Sequence, residues 1–229
     1  MKERLRIIQI SDLHITIYRN LLSQIVNALN NEFANIVVIT GDTVHFNDDE
    51  ESFKIASNTI KMIRHKTIII PGDYDAGDLW KKYFGETHQT VFLNGYNLDF
   101  IDTSSLGHKY YYGWGDILNT EDVIQYNWVK NQLSTKRNSH VIFSHHPFWI
   151  MPRKEGEEFF SENLRAVYSG HFHNPLAFQF KYQNREDIKG ILSVPMKFHG
   201  NACYMIISIG DTEEIAHIPR FINLKRTAW

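Results

Sequence analysis

The order of hydrophobic periodicities along the chain predicts an α/β protein, one continuous domain over residues 1–229 with two sheets. Three observations carry this reading. Short β-branched runs alternate with amphipathic stretches through the first half. After Gly170 the pattern changes to strands alone. No repeat, low-complexity tract or Pro/Gly-rich linker separates the two parts.

The first strand is Leu5–Ile10, a β-branched run. Asn20–Asn31 follows with apolar residues at helical spacing, then the strand Asn35–Thr40, the helix Glu50–Arg64 and the strand Thr67–Ile70. A β-α-β-α-β order of this kind implies parallel strands joined by crossover helices. Asp78–Phe84 reads as a short helix. Gln89–Leu93 and Tyr96–Ile101 are strands joined by Asn94-Gly95, a pair suited to a hairpin turn with two positive φ angles. Glu121–Leu133 is a helix and Ser139–Ser144 a buried strand. A further strand ends at Ser169, and Leu176–Tyr182, Ile188–Val194, Ala202–Ile209 and Glu214–Ile218 complete the series. His146–Glu158 is the longest irregular stretch.

Composition narrows the function classes. With 24 Lys+Arg against 26 Asp+Glu the net charge is −2, so no chain-wide electrostatic footprint for nucleic acid exists. The single cysteine, Cys203, excludes a disulfide scaffold and any thiolate metal cluster. The apolar run at Ile7–Ile10 is too short for a signal segment or a membrane span, and a cytoplasmic protein with no membrane partner is expected. Twelve histidines stand out in this otherwise average composition.

Their placement is informative. Ser11-Asp12-Leu13-His14, Thr40-Gly41-Asp42 and Pro71-Gly72-Asp73-Tyr74-Asp75 follow the first three strands. Ser144-His145-His146-Pro147 and Ser169-Gly170-His171-Phe172-His173 follow two later ones. Ligands collect beyond the carboxyl ends of strands in open α/β sheets, so these loops should converge. On an extended chain residues i and i+2 share a side, which would turn Asp12 with His14, and His171 with His173, toward common points. Gly41, Gly72 and Gly170 each precede a candidate ligand, where close backbone approach is needed. Asp12, His14, Asp42, Asp73, His145, His171 and His173 make an N/O donor set suited to Mn, Fe or Zn. Seven donors exceed one tetrahedral ion and suit two divalent ions about 3.5–4 Å apart with a bridging carboxylate.

In these residues the chain resembles the calcineurin-like metallophosphoesterase family, whose signatures D-x-H, G-D, G-N-H-[DE], H-x-P and G-H-x-H run in this order. The resemblance implies a four-layer α/β/β/α sandwich of two mixed β-sheets flanked by helices, with a two-metal site at one edge. It implies that Asp12, His14 and His173 hold the first metal, that Asp73, His145 and His171 hold the second, and that Asp42 bridges them. Amidohydrolases place their His-x-His near the start of the chain, and the H-x-H-x-D-H run of the metallo-β-lactamases is absent here.

Two departures fall in the third signature: Asp73 stands for the family's Asn and Tyr74 for its His. The first keeps an oxygen donor and adds negative charge. The second removes a cationic clamp and proton donor, leaving a phenol that still donates a hydrogen bond.

The function expected is a dinuclear metal-dependent phosphoester hydrolase, more a phosphodiesterase than a monoesterase. A hydroxide held between the two ions would attack phosphorus in line. Its phosphoester substrate would be a small molecule or nucleotide. A fold-retaining scaffold that has lost catalysis at Tyr74 and acts through protein partners is the alternative, and a nuclease the third reading. Tyr74, His45 and His146 are the catalytic candidates besides the metal ligands. Arg19, Phe148, Trp149 and Arg153 are candidate substrate-binding residues, with Lys154 as a further cation. Tyr110–Trp114 and His199 are weaker candidates near the site, and Asp75 is expected to support the ligands or the turn.

Overall fold

The structure is a computed structural model that describes residues 5–15, 21–104, 120–134, 138–146, 163–171, 176–182, 185–192, 201–211 and 214–223. Of these, 120–126, 176–182, 185–192, 201, 202 and 223 are described by backbone alone.

Two mixed sheets form the centre. The first orders its strands β11-β10-β1-β2-β3, where β1 is Leu5–Ile10, β2 Ile36–Thr40, β3 Thr67–Ile70, β10 Asn201–Ile209 and β11 Ile215–Asn223. β1, β2 and β3 run parallel, while β10 is antiparallel to both β1 and β11. The second sheet orders β4-β5-β6-β7-β9-β8, from β4 Gln89–Leu93, β5 Tyr96–Ile101, β6 Ser139–Ser144, β7 Leu164–Ser169, β8 Leu176–Tyr182 and β9 Arg185–Leu192. β5, β6, β7 and β9 are parallel, with β4 and β8 antiparallel at the edges.

Strand alternation assigns each side chain to a layer. On β1, Leu5 and Ile7 face the second sheet while Ile8 and Ile10 face the helices. On β2, Ile36 and Val38 point inward and Val37 and Ile39 outward. The inward set meets Tyr96, Leu98, Phe100, Val141, Phe143, Ala166 and Tyr168, so the core between the sheets is dry and aromatic on one wall. The outward set packs on α1 (Leu22–Asn30), α2 (Glu50–Lys61) and α3 (Asp78–Phe84). A fourth helix, α4 (Thr120–Ser134), lies against β5 on the other sheet, with Val129 and Leu133 buried. Helices therefore flank the paired sheets, the four-layer arrangement expected.

Local chemistry sets the boundaries. The Asp49 carboxylate caps α2 by accepting from the Ser52 backbone N–H at 3.4 Å, and Glu50, Glu51 and Lys61 complement the helix dipole. The helix stops at Lys61, short of the expected Arg64, where Asn30 accepts from Arg64 N and donates to the Met62 carbonyl. In the hairpin, Asn94 at φ 50° and Gly95 at φ 87° make the turn the sequence called for. β11 continues through Pro219 to Asn223, five residues past the expected end at Ile218. An edge strand tolerates a proline, and β11 is an edge.

Two polar ties cross the sandwich. Gln9 donates through Nε2 to Thr40 Oγ1 at 3.2 Å and to the Ser169 carbonyl at 3.1 Å. Tyr168 on β7 bonds His217 of β11 at 2.9 Å, and burial pushes its phenol up, so the hydroxyl keeps its proton.

Within the second sheet, His140 Nδ1 lies 2.7 Å from Asp99 Oδ2 with both side chains fully buried. Thr90 Oγ1 donates to the other Asp99 oxygen at 2.6 Å. Removing one member of such a pair strands the other in a medium that solvates it poorly. His140→Ala is expected to lower stability by about 3–5 kcal/mol in urea unfolding while leaving the metal content of the folded fraction unchanged.

Candidate metal centre

Five loops leave the carboxyl ends of β1, β2, β3, β6 and β7 and meet where the two sheets face one another. Backbone bonds extend the β1–β2 pairing into the loops: Asp12 N to Gly41 O at 3.0 Å, His14 N to Asp42 O at 2.9 Å, and Ile15 N to Thr43 O at 2.9 Å. Gly170 N donates to His145 O at 2.9 Å and couples β6 with β7 in the same way.

The loops converge beyond the strand ends as expected, but the aim of the donors within them has a different cause. Asp12 (φ 56°), His14 (φ 39°), Asp42 (φ 51°) and His171 (φ 78°) occupy the left-handed region, so strand alternation does not aim them. These four donors leave the regular strand conformation just past a strand end. Left-handed conformations are uncommon for residues other than glycine and concentrate where structure is held for function.

The three glycines act through space. A Cβ on Gly41, itself at φ 89°, would enter the His145 ring. One on Gly72 would overlap the Asp42 carboxylate, and one on Gly170 would strike Ser11 and the Thr40 carbonyl. Their absent side chains are the room in which the donors pack.

Donor atoms fall into two groups, each with its atoms within 4.8 Å of one another: Asp12, His14 and Asp42, and Asp73, His145, His146 and His171. Asp42 joins them, its Oδ2 lying 3.8 Å from His14 Nε2 and 3.5 Å from His145 Nε2. Its Oδ1 accepts from the Tyr74 backbone N–H at 3.2 Å. His145 Nε2 also lies 3.8 Å from Asp73 Oδ1, and His171 Nδ1 lies 3.6 Å from Asp73 Oδ2. His146 Nε2 approaches Asp73 Oδ1 at 2.6 Å, which places this residue inside the donor group. The sequence had put it beside the group.

Asp73 Oδ1 and His145 Nε2 are buried without a hydrogen-bond partner. Close but misaligned donors are what remains when lone pairs point at a common centre rather than at each other. Carboxylate and imidazole at these spacings fit divalent cations of the Mn, Fe or Zn type.

An outer layer orients the inner one. His145 Nδ1 bonds the Thr40 carbonyl at 2.8 Å, which sends Nε2 toward Asp42. The same carbonyl accepts from Ser11 Oγ at 2.8 Å. His14 Nδ1 meets His45 Nδ1 at 3.2 Å, so His45 stands behind a ligand. Thr103 Oγ1 accepts from His146 N at 2.9 Å and lies 3.2 Å from its Nδ1. Asp75 is fully buried and accepts from Thr43 N and Gly72 N, both at 2.5 Å, tying the β2 and β3 loops together. Asp75 closes the third signature and His45 is among the sequence candidates, whereas Ser11, Thr40 and Thr103 carry no motif, their common signal being a hydroxyl residue at or just past a strand end.

Charge in the group is lopsided. Burial opposes ionisation of His145, but Asp42, Asp12 and Asp73 push it up to about 10. Burial alone would raise Asp42 and Asp73, yet the neighbouring imidazoles hold both below the usual carboxylate range, His145 for the first and His146 for the second. His171 goes the other way, to about 4, through burial and the adjoining His146 and His145. Burial beside Asp42 pushes Asp75 up to about 7 against its two N–H donors. A proton on His145 thus supplies part of the positive charge these carboxylates demand.

The calcineurin-like phosphoesterase model matches residues 5–175. The chain belongs to this family. Its fold is shared with a purple acid phosphatase from seeds of yellow lupin, Lupinus luteus, at TM-score 0.63 and 12% identity, covering 96% of this chain and 52% of that one. It also matches the Thermus thermophilus protein TT1561, at TM-score 0.65 and 10% identity over 97% of this chain and all (100%) of that one. The NAD nucleotidase of Haemophilus influenzae matches at 0.53 and 10% identity, over 96% and 56% of the respective chains. This chain thus spans about half the length of the lupin enzyme and of the nucleotidase. No curated protein sequence matches it.

Of the residues singled out from sequence, Asp12, His14, Asp42, Asp73, His145, His146 and His171 come together, with His45 and Tyr74 against them. His173, Arg19, Phe148, Trp149, Arg153, Lys154, His199 and Tyr110–Trp114 lie outside the described residues.

Two outcomes test the geometry. Gly41→Ala is expected to reduce bound metal in the folded protein, since left-handed strain of about 1–2 kcal/mol adds to displacement of the His145 ring. Metal binding near pH 8 is expected to release about one proton, because His145 must lose its own to offer a lone pair. Titration calorimetry in buffers of different ionisation enthalpy measures the release; none at all would place His145 outside the metal site.

Proposed function

We propose that this chain is a dinuclear metal-dependent phosphoester hydrolase that favours diesters. The observation that carries the reading is the pair of adjoining donor groups with the Asp42 carboxylate reaching both. Asp12, His14 and Asp42, completed by His173, would hold one cation. Asp73, His145 and His171 would hold the other, with Asp42 shared and His146 as an additional donor. Two divalent ions there supply Lewis acidity toward a phosphoryl oxygen and a nucleophile at neutral pH.

The chain's own residues do the rest. Thr40 and His45 fix the two imidazoles that flank Asp42, so the donors are aimed before a substrate arrives. Asp73 places a second negative charge at the site rim, being partly exposed beside His171. That charge opposes a dianionic monoester more than a monoanionic diester. Tyr74 brings no positive charge to offset it, which also favours the diester.

The decisive measurement combines metal analysis with hydrolysis of a chromogenic diester and its monoester in manganese. Two metals per chain and faster diester turnover are expected. Asp42→Ala is expected to lose both metals and all turnover, and Tyr74→His to raise the monoester rate about tenfold or more by restoring an imidazole acid. Bound metal with no turnover of either ester, and no rescue by Tyr74→His, would instead identify a scaffold that kept its ions.

A further inference from the structure

Tyr74 is 46% exposed although it adjoins a half-buried candidate ligand, Asp73, and its backbone holds a buried one, Asp42. Its ring is not loose. It stacks on the His45 imidazole with centroids 5.0 Å apart and planes within 10° of parallel. His14 meets Tyr74 edge-on at 5.4 Å and His45 edge-on at 5.0 Å, and His14 and His45 are bonded through their Nδ1 atoms. On the same loop Phe46 stands edge-on to His45 at 4.6 Å and is 54% exposed. These rings form a fixed aromatic surface that starts at a candidate metal ligand and ends in solvent.

An exposed aromatic pair of this kind is costly to leave in water unless something covers it, and its position limits what that is. A phosphoryl group held between the donor groups would lie next to His14, whose ring meets Tyr74 edge-on, so a substituent on that phosphorus would have the Tyr74 ring within reach. A tyrosine cannot clamp phosphate charge, but its π face binds a flat ring, and immobilisation by His45 removes most of the ordering cost. We propose that Tyr74, backed by His45 and extended by Phe46, is the binding face for a planar aromatic group carried on the phosphoester, a nucleobase or an aryl ring. This deepens the phosphoesterase reading and rests on it.

The test uses the metal-loaded full chain and phosphonates, which cannot be hydrolysed. Phenylphosphonate is compared with ethylphosphonate, and the methylene phosphonate isostere of adenosine monophosphate with that of ribose 5-phosphate. Stacking on one ring predicts that the aromatic member of a pair binds roughly tenfold or more tightly. Preference in the phenyl pair alone would assign the face to aryl esters, and preference in the adenosine pair to nucleotides. Tyr74→Phe is expected to keep the preference, Tyr74→Ala to abolish it with metal content intact, since alanine retains the N–H that Asp42 uses, and Phe46→Ala to reduce it. Equal binding within both pairs, or a preference that survives Tyr74→Ala, would overturn the inference while leaving the phosphoesterase reading in place. No binding of any phosphonate to protein that carries its metals would overturn the inference, while turnover of the chromogenic diester decides the phosphoesterase reading separately.

Discussion

The Thr40 carbonyl oxygen is the point on which the site depends. It ends β2 in the first sheet and accepts from Ser11 of the β1 loop and from His145 of the second sheet. One acceptor thereby fixes the separation of the sheets at their carboxyl ends and the rotation of a central imidazole. The fit around it is close enough that Gly41 and Gly170 have no space for a methyl group. Gln9 repeats the tie one layer deeper, reaching the Thr40 hydroxyl and the Ser169 carbonyl. The apolar sandwich sets which faces meet, but apolar contact is non-directional and fixes no side-chain rotation. These few buried polar bonds turn two packed sheets into a defined arrangement of donors.

That arrangement would be unstable as bare charge. Asp12 and Asp42 are buried and Asp73 partly so, and like charges this close raise each other's energy steeply in a medium of low polarity. A proton on His145, drawn there by all three carboxylates, offsets part of that charge. His171, beside His145 and His146, stays neutral. One protonated imidazole offsets only part of the negative charge, whereas divalent ions would offset more of it and take up lone pairs from several donors at once.

Much of this was legible in the sequence, for identifiable reasons. Period-two and helical patterns located most elements because each buries a face against a different layer, as Leu5 and Ile7 do against the second sheet and Ile8 and Ile10 against the helices. Donors were legible because five of them share the unusual context of Asp or His beyond an apolar strand. Geometry was not. Placing Asp12 and His14 on one side by strand alternation gave the right neighbours for the wrong reason, since both lie on left-handed bends. His146 reads as the neighbour of a ligand, and only the fold shows its Nε2 against Asp73. The Thr40 carbonyl has no signature at all, because every residue carries one. β11 ran past Pro219 because whether a proline ends a strand depends on being at an edge, a property of the sheet and not of the segment.

Positions 73 and 74 are the places where the chain departs from its family's pattern, and the structure connects them. An aspartate at 73 adds charge where an amide would be neutral, and the fully buried His146 stands 2.6 Å away, supported in turn by Thr103. A tyrosine at 74 removes a cation from the mouth, and His45 stacks beneath it. Each substitution thus has an imidazole against it. His146 answers a charge, while His45 answers a flat apolar face. Random loss of function would remove donors and leave such pairs unmatched. Here the donor groups are intact among the described residues, and each altered side chain has an imidazole against it. On the reading proposed here, a metal site of more negative charge with a less polar entrance would suit esters of low charge and large flat substituents.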